Sequence, residues 1–98
     1  MERSYIDGSN QSIHDVHLSM LVTVKLFASL ARFSPGGLPG TPFEVTLPTA
    51  ACVQDLVNKL GIPTEETRVS FVNGLIVAPE WVLNQGDEVG IFPPVGGG

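Results

Sequence analysis

The sequence predicts an α+β domain of two layers: a mixed sheet of four to five strands with one main helix packed on one face. Three observations carry this expectation. Several short runs alternate apolar and polar residues with the period of a strand. A single segment repeats its apolar residues at helical spacing. One Asn-Gly dipeptide sits between two β-rich runs, the mark of a tight hairpin. At 98 residues the chain is long enough for one core, and a hydrophobic content of 43% argues against disorder.

The run LVTVKLFA (Leu21–Ala28) opens the pattern, with Val22, Val24 and Leu26 on one face and Leu21, Thr23, Lys25 and Phe27 on the other. Apolar residues on both faces and β-branched side chains suit a central strand. SPGGLPGTP (Ser34–Pro42) is loop, with three prolines and three glycines in nine residues. FEVTL (Phe43–Leu47) alternates again and forms the second strand of a long-looped hairpin. Thr49 is the candidate N-cap of the helix, whose apolar positions are Val53, Leu56, Val57 and Leu60. Gly61 stands where a C-cap glycine belongs and Pro63 confirms the stop, which gives a helix of about eleven residues.

RVSFVNGLIV (Arg68–Val77) is the strongest local signal, because Asn73-Gly74 tolerates the two positive φ angles of a type I′ turn. A turn at Gln85-Gly86-Asp87 leads into the last strand, Glu88–Phe92, which Pro93 and Pro94 end. The order β-β-α-β-β-β, with a right-handed crossover wherever the helix joins parallel strands, is that of the β-grasp, or ubiquitin-like, fold.

The net charge of −5 argues against a nucleic-acid binder, which needs a basic patch, and suits a partner with a basic surface. No apolar run approaches the roughly 20 residues of a membrane span. The first residues, MERSYIDGSN, lack the basic and apolar regions of a signal peptide, so a cytoplasmic location is expected. Residues 1–19 are polar and unpatterned: a flexible N-terminal extension, a misplaced start or a cloning remnant. The domain proper is expected over residues 20–98.

Several residues invite chemistry and are better read structurally. Cys52, the lone cysteine, falls near the helix start without a basic partner and reads as a buried structural residue. His14 and His17 have helical spacing for a shared metal but no third ligand, so no metal site is expected. Asp87 and Glu88 read as a solvated turn rather than an acid/base pair. Trp81 reads as packing under the loop before the last strand. Asn10–Ser12 fits a glycosylation sequon, which means little without a signal peptide.

The last strand runs out into FPPVGGG (Phe92–Gly98). Either the glycines are a frayed end, or the Gly98 carboxylate is the working part. A carboxylate is a poor electrophile at neutral pH; attack on the α-phosphate of ATP, inside an enzyme that excludes water, turns it into a reactive acyl-adenylate. Gly96, Gly97 and Gly98 lack a Cβ and permit a narrow, closely approached tail. Pro93 and Pro94 stiffen its base and project it off the strand.

This tail resembles that of the MoaD/ThiS ubiquitin-like sulfur carriers, and most of all the small subunit of molybdopterin synthase, whose members end in Phe-Pro-Pro-Val-x-Gly-Gly. The match runs through Phe92, Pro93, Pro94, Val95, Gly97 and Gly98, with Gly96 in the variable position. VKLFASLAR (Val24–Arg32) resembles the first strand of the family and its exit, and LNQGDEVGIFPP (Leu83–Pro94) resembles its last turn and strand. The glycine- and proline-rich loop 34–42 and the N-terminal extension depart from the family pattern.

The resemblance implies that an E1-like adenylating enzyme uses ATP, in trans, to adenylate Gly98. A sulfur donor, commonly a persulfide, then displaces AMP and leaves a thiocarboxylate. The large subunit of molybdopterin synthase receives the tail, and two carriers in turn supply the dithiolene sulfurs. The chain is then a non-catalytic subunit or co-substrate with no cofactor of its own. The resemblance also implies an apolar docking patch of Phe27, Leu75 and Phe92, continued by Pro93, Pro94, Val95 and Gly96. Simple core packing is the alternative for its first members. Other readings are a carrier for thiamine or another thio-product, a ubiquitin-like modifier forming isopeptides, and a plain interaction domain.

Overall fold

The computed structural model describes residues 18–94. The strands are β1 (Ser19–Leu26), β2 (Phe43–Pro48), β3 (Val69–Val72), β4 (Leu75–Val77) and β5 (Glu88–Phe92). The α-helix, α1, spans Val53–Leu60, and short 3₁₀ turns cover Ala28–Phe33 and Thr64–Glu66. The sheet order is β2-β1-β5-β3-β4. β1 and β5 are parallel, and the other neighbours are antiparallel. The sequence predicts a mixed sheet of four to five strands with one main helix, and the sheet has five.

One face of the sheet makes the core. Val22, Val24 and Leu26 of β1, Val45 and Leu47 of β2, Val72 of β3, and Val89 and Ile91 of β5 are buried together. Val53, Leu56 and Val57 of α1 close over them, with Leu30, Ile62 and Leu83 filling the ends. Alternation therefore decides burial: the odd-numbered residues of β1 and the even-numbered residues of β5 turn to the opposite, open face.

The first strand stops two residues short of the predicted Ala28. Ala28 takes a left-handed φ of 52°, and the chain tightens into a 3₁₀ turn that buries Leu30 and Ala31. The Asn73-Gly74 turn is as predicted, with φ of 52° and 85°. Gly61 ends α1 in the left-handed region at φ 76°, and the Ile62 N–H donates to the Val57 carbonyl as a C-terminal cap requires.

The helix start needs correction. Thr49 is not the N-cap: Ala50 adopts φ 73°, the Ala51 N–H closes a turn onto the Pro48 carbonyl, and α1 begins only after Cys52. Its eight residues are fewer than expected. The free N–H groups at its N-terminus find distant acceptors, Val53 on the Trp81 carbonyl and Gln54 on the Pro79 carbonyl. Cys52 is half-buried rather than buried, and its N–H donates to Asp55 Oδ2 at 2.9 Å. That hydrogen bond, with a lesser one from the Cys52 thiol, holds the Asp55 carboxyl below its usual pKa.

Two further readings change. Trp81 does not pack beneath the loop; it is 47% exposed, and what the fold uses is its carbonyl on α1. Asp87 is not solvated. It is 8% exposed, and its carboxylate accepts from the Asn73 side-chain amide and the Asn84 N–H. His14, His17 and Asn10–Ser12 lie outside the described residues. Among the described residues no helix is long and apolar enough to cross a membrane, and no group of three or more His, Cys, Asp and Glu is placed to hold a metal.

Candidate functional site

β5 delivers the chain to Pro93 and Pro94 at one end of the sheet, and the predicted site residues Val95, Gly96, Gly97 and Gly98 lie outside the described residues. What the structure describes is the surface from which they emerge. On the open face, the pairings Lys25–Gly90, Gly90–Phe71 and Phe71–Ile76 place these four residues in one row across β1, β5, β3 and β4. The pairing Val69–Phe92 starts the adjoining row at the tail end, and Phe27 completes it.

The rings of Phe27 and Phe92 stack with centroids 4.2 Å apart and planes 2° from parallel. Phe71 meets Phe92 edge-on at 5.5 Å. Such aromatic contacts are worth about 0.5–1.5 kcal/mol beyond the area they bury. Gly90 is the floor beneath the stack: a Cβ there would lie 3.3 Å from Phe27 Cε2 and 4.0 Å from Phe92 Cε1. The missing side chain leaves a shallow cavity of about 250 Å³ between the phenylalanines, flanked by Lys25 and Glu88. A larger open groove of about 450 Å³, lined by Phe33, Phe43, Lys59 and Leu60, lies at the β2 edge, away from the tail.

The structure thus brings Phe27 and Phe92 together beside Pro93 and does not bring Leu75 to them. Leu75 pairs with Val72, which pairs with the buried Val89, so Leu75 lies on the helix side of the sheet, at its edge and 64% exposed. Ile76 takes the open-face position opposite Phe71 and is 71% exposed. Sequence reasoning passed over Phe71, Ile76 and Gly90. The signal for the first two was present, because a two-residue turn at Asn73-Gly74 pairs Val72 with Leu75 and Phe71 with Ile76.

Fold and face together define a β-grasp, ubiquitin-like domain with an aromatic patch at the base of a glycine tail. The chain belongs to the ThiS family, whose model matches residues 24–98. Among solved structures it is similar to a protein provisionally named molybdopterin converting factor, subunit 1, from Pyrococcus furiosus. The two are 31% identical with a TM-score of 0.59 over 78% of this chain and 99% of that one. SAMP1 from Haloferax volcanii is 26% identical, with a TM-score of 0.60 over 80% of this chain and 99% of that one. Small archaeal modifier protein 1 from Methanosarcina acetivorans is 27% identical, with a TM-score of 0.56 over 82% and 98%. No curated protein sequence matches the chain.

Proposed function

We propose that the chain is a sulfur carrier for molybdopterin synthesis and that the Gly98 carboxylate is its reacting group. The observation that carries this reading is the Phe-Pro-Pro-Val-Gly-Gly-Gly sequence of residues 92–98, which begins on the last residue of β5 in a member of the ThiS family. The similarity to the Pyrococcus furiosus converting factor supports molybdopterin over thiamine as the destination.

The chemistry is as follows. A carboxylate oxygen of Gly98 attacks the α-phosphorus of ATP in an E1-like enzyme, and pyrophosphate leaves. The terminal sulfur of a persulfide attacks the acyl carbon, and AMP leaves with the bonding pair. A thiol then attacks the donor's sulfur, breaks the S–S bond and releases the thiocarboxylate. The carrier supplies no acid or base. It supplies a thin electrophile and a docking face, for which Phe27, Phe71, Ile76 and Phe92 are the candidates. On delivery the large synthase subunit takes the tail; the thiocarboxylate sulfur attacks a precursor carbon and displaces an oxygen leaving group, and water then cleaves the acyl C–S bond, leaving the sulfur on the precursor and Gly98 as a carboxylate.

Intact-mass analysis of the protein from its own host tests this. A species about 16 Da heavier, localised to Gly98 and capped by a thiol-alkylating label, is the expected result. Absence of the thiocarboxylate from the host protein, together with failure to form it with an activating enzyme, ATP and a sulfur source, would overturn it.

A second reading has its own support, the similarity to small archaeal modifier proteins. In it the same adenylate passes to a lysine as an isopeptide. Conjugates that shift on a gel and vanish when Gly97 and Gly98 are deleted would favour it.

A further inference from the structure

We infer, resting on the proposal that Gly98 is the reacting end, that Phe27 is a positioning residue: its ring, seated in a slot that Gly40 and Gly90 leave open, holds the Phe92 ring and so sets the direction in which Pro93 and Pro94 leave the sheet.

The Phe27 backbone is fixed from both sides. Its N–H donates to the Ile91 carbonyl at 3.2 Å, and its carbonyl accepts from Leu30 at 3.1 Å in the 3₁₀ turn. Its ring is half-buried, unlike Ile76 on the same face of the sheet, which is 71% exposed. One ring face lies flat on Phe92. Two glycines, far apart in sequence, make room for it. Gly90 has no left-handed φ, so its backbone does not require glycine; a Cβ there would sit 3.3 Å from the Phe27 ring, close enough that the ring would have to give by a few tenths of an ångström. Gly40, in the proline-rich loop, has φ 73°, would place a Cβ 3.4 Å from the same ring, and donates its N–H to the Leu26 carbonyl at 2.9 Å. Loop 34–42 thereby packs beside the Phe27 ring.

Phe92 is held as firmly as Phe27. Phe27 covers one ring face, Phe71 approaches edge-on, and the Arg68 N–H fixes its carbonyl at 2.8 Å. The next two residues are prolines, whose φ is set by their rings. Four residues beyond Pro94 reach at most about 14 Å, so the direction at the base decides which volume the tip can sample. A misplacement of about 1 Å at a reacting centre can cost about a hundredfold in rate.

The test measures ATP–pyrophosphate exchange by the cognate activating enzyme with wild type, Phe27→Leu, Phe27→Tyr and Gly90→Ala. Phe27→Leu keeps apolar area and loses the flat stack; Phe27→Tyr keeps the stack. Gly90→Ala removes no exposed apolar side chain and favours the strand, but displaces the ring. The expected result is a fall in kcat of about tenfold or more for Phe27→Leu and Gly90→Ala, with KM for the carrier within about twofold for Gly90→Ala, which keeps every docking side chain, and with kcat restored in Phe27→Tyr. A rise in KM with kcat unchanged would make Phe27 a partner contact only, and no change in either would remove the role altogether.

Residual dipolar couplings of the Pro93 and Pro94 Cα–Hα bonds in the free protein give a readout that needs no enzyme. They should be sizeable in wild type and fall in Phe27→Leu and Gly90→Ala. Equal couplings in all variants overturn the positioning role. Couplings lost as expected, with a wild type that no activating enzyme adenylates, count against the Gly98 chemistry instead.

Discussion

The Asp87 carboxylate accepts a hydrogen bond from the Asn73 side-chain amide at 2.9 Å, joining the β3–β4 turn to the turn that precedes β5. Asn73 Oδ1 in turn accepts from the Glu88 N–H at 2.9 Å, and the Asn84 N–H reaches the second Asp87 oxygen at 2.8 Å. Replacing Asp87 with Ala leaves the Asn73 amide and the Asn84 N–H without this acceptor in a largely buried site. The expected loss is about 2–3 kcal/mol of stability. Asp87→Asn keeps an acceptor and should lose about half as much. Urea unfolding checks this, with the midpoint falling and the m-value unchanged.

That hydrogen bond also marks where the sequence stops being legible. The strands, the Asn73-Gly74 hairpin and the Gly61 cap could be read because each follows from a few consecutive residues. The start of α1 could not, because the carbonyls that satisfy Val53 and Gln54 come from Trp81 and Pro79, far along the chain. The burial of Asp87 depends on Asn73 in the same way, so a charged turn residue looked solvated. The Phe27–Phe92 stack needs the parallel pairing of the first and last strands. The patch itself was partly legible: alternation placed Phe27 opposite Val24 and Leu26. Choosing Leu75 over Ile76 was a missed inference about register, not a hidden long-range effect.

Asp55 gives a pH dependence with a definite sign. Hydrogen bonds from the Cys52 N–H and, secondarily, its thiol lower the Asp55 pKa in the folded protein, against an ordinary value of 3.8. The unfolded chain therefore binds this proton more readily, so the contribution is complete above the ordinary value and is lost as pH falls through the lower folded one. Asp55→Ala should melt below wild type at neutral pH, and the gap should narrow below about pH 4. Melting curves at several pH values measure it; a gap that stays constant through the acid range would show that Asp55 acts by something other than its charge.

The register of β4 separates Leu75 from Ile76 as partner contacts. Both are exposed, so Leu75→Ser and Ile76→Ser should each change stability by no more than about 0.5 kcal/mol. Only Ile76 shares the open face with Phe71 and the Phe27–Phe92 stack. Binding of the cognate activating enzyme, followed by calorimetric titration, should weaken about tenfold or more for Ile76→Ser and little for Leu75→Ser. The reverse order would move the docking face around the sheet edge to the helix side.

The sharpest test of the tail adds atoms without touching the domain. Pro94 is already exposed, and among the described residues the core runs from Met20 to Ile91. Gly98→Ala puts a methyl group on the carbon next to the reacting carboxylate, and one residue added after Gly98 moves the carboxylate itself by up to about 3.6 Å. An adenylation site that places its reactants to within an ångström tolerates neither change. Both variants should melt as wild type does, and pyrophosphate exchange by the cognate activating enzyme should fall by about a hundredfold or more. Full exchange by either variant would mean that the enzyme does not read the end of this tail, and the assignment of Gly98 as the reacting group would fall with it.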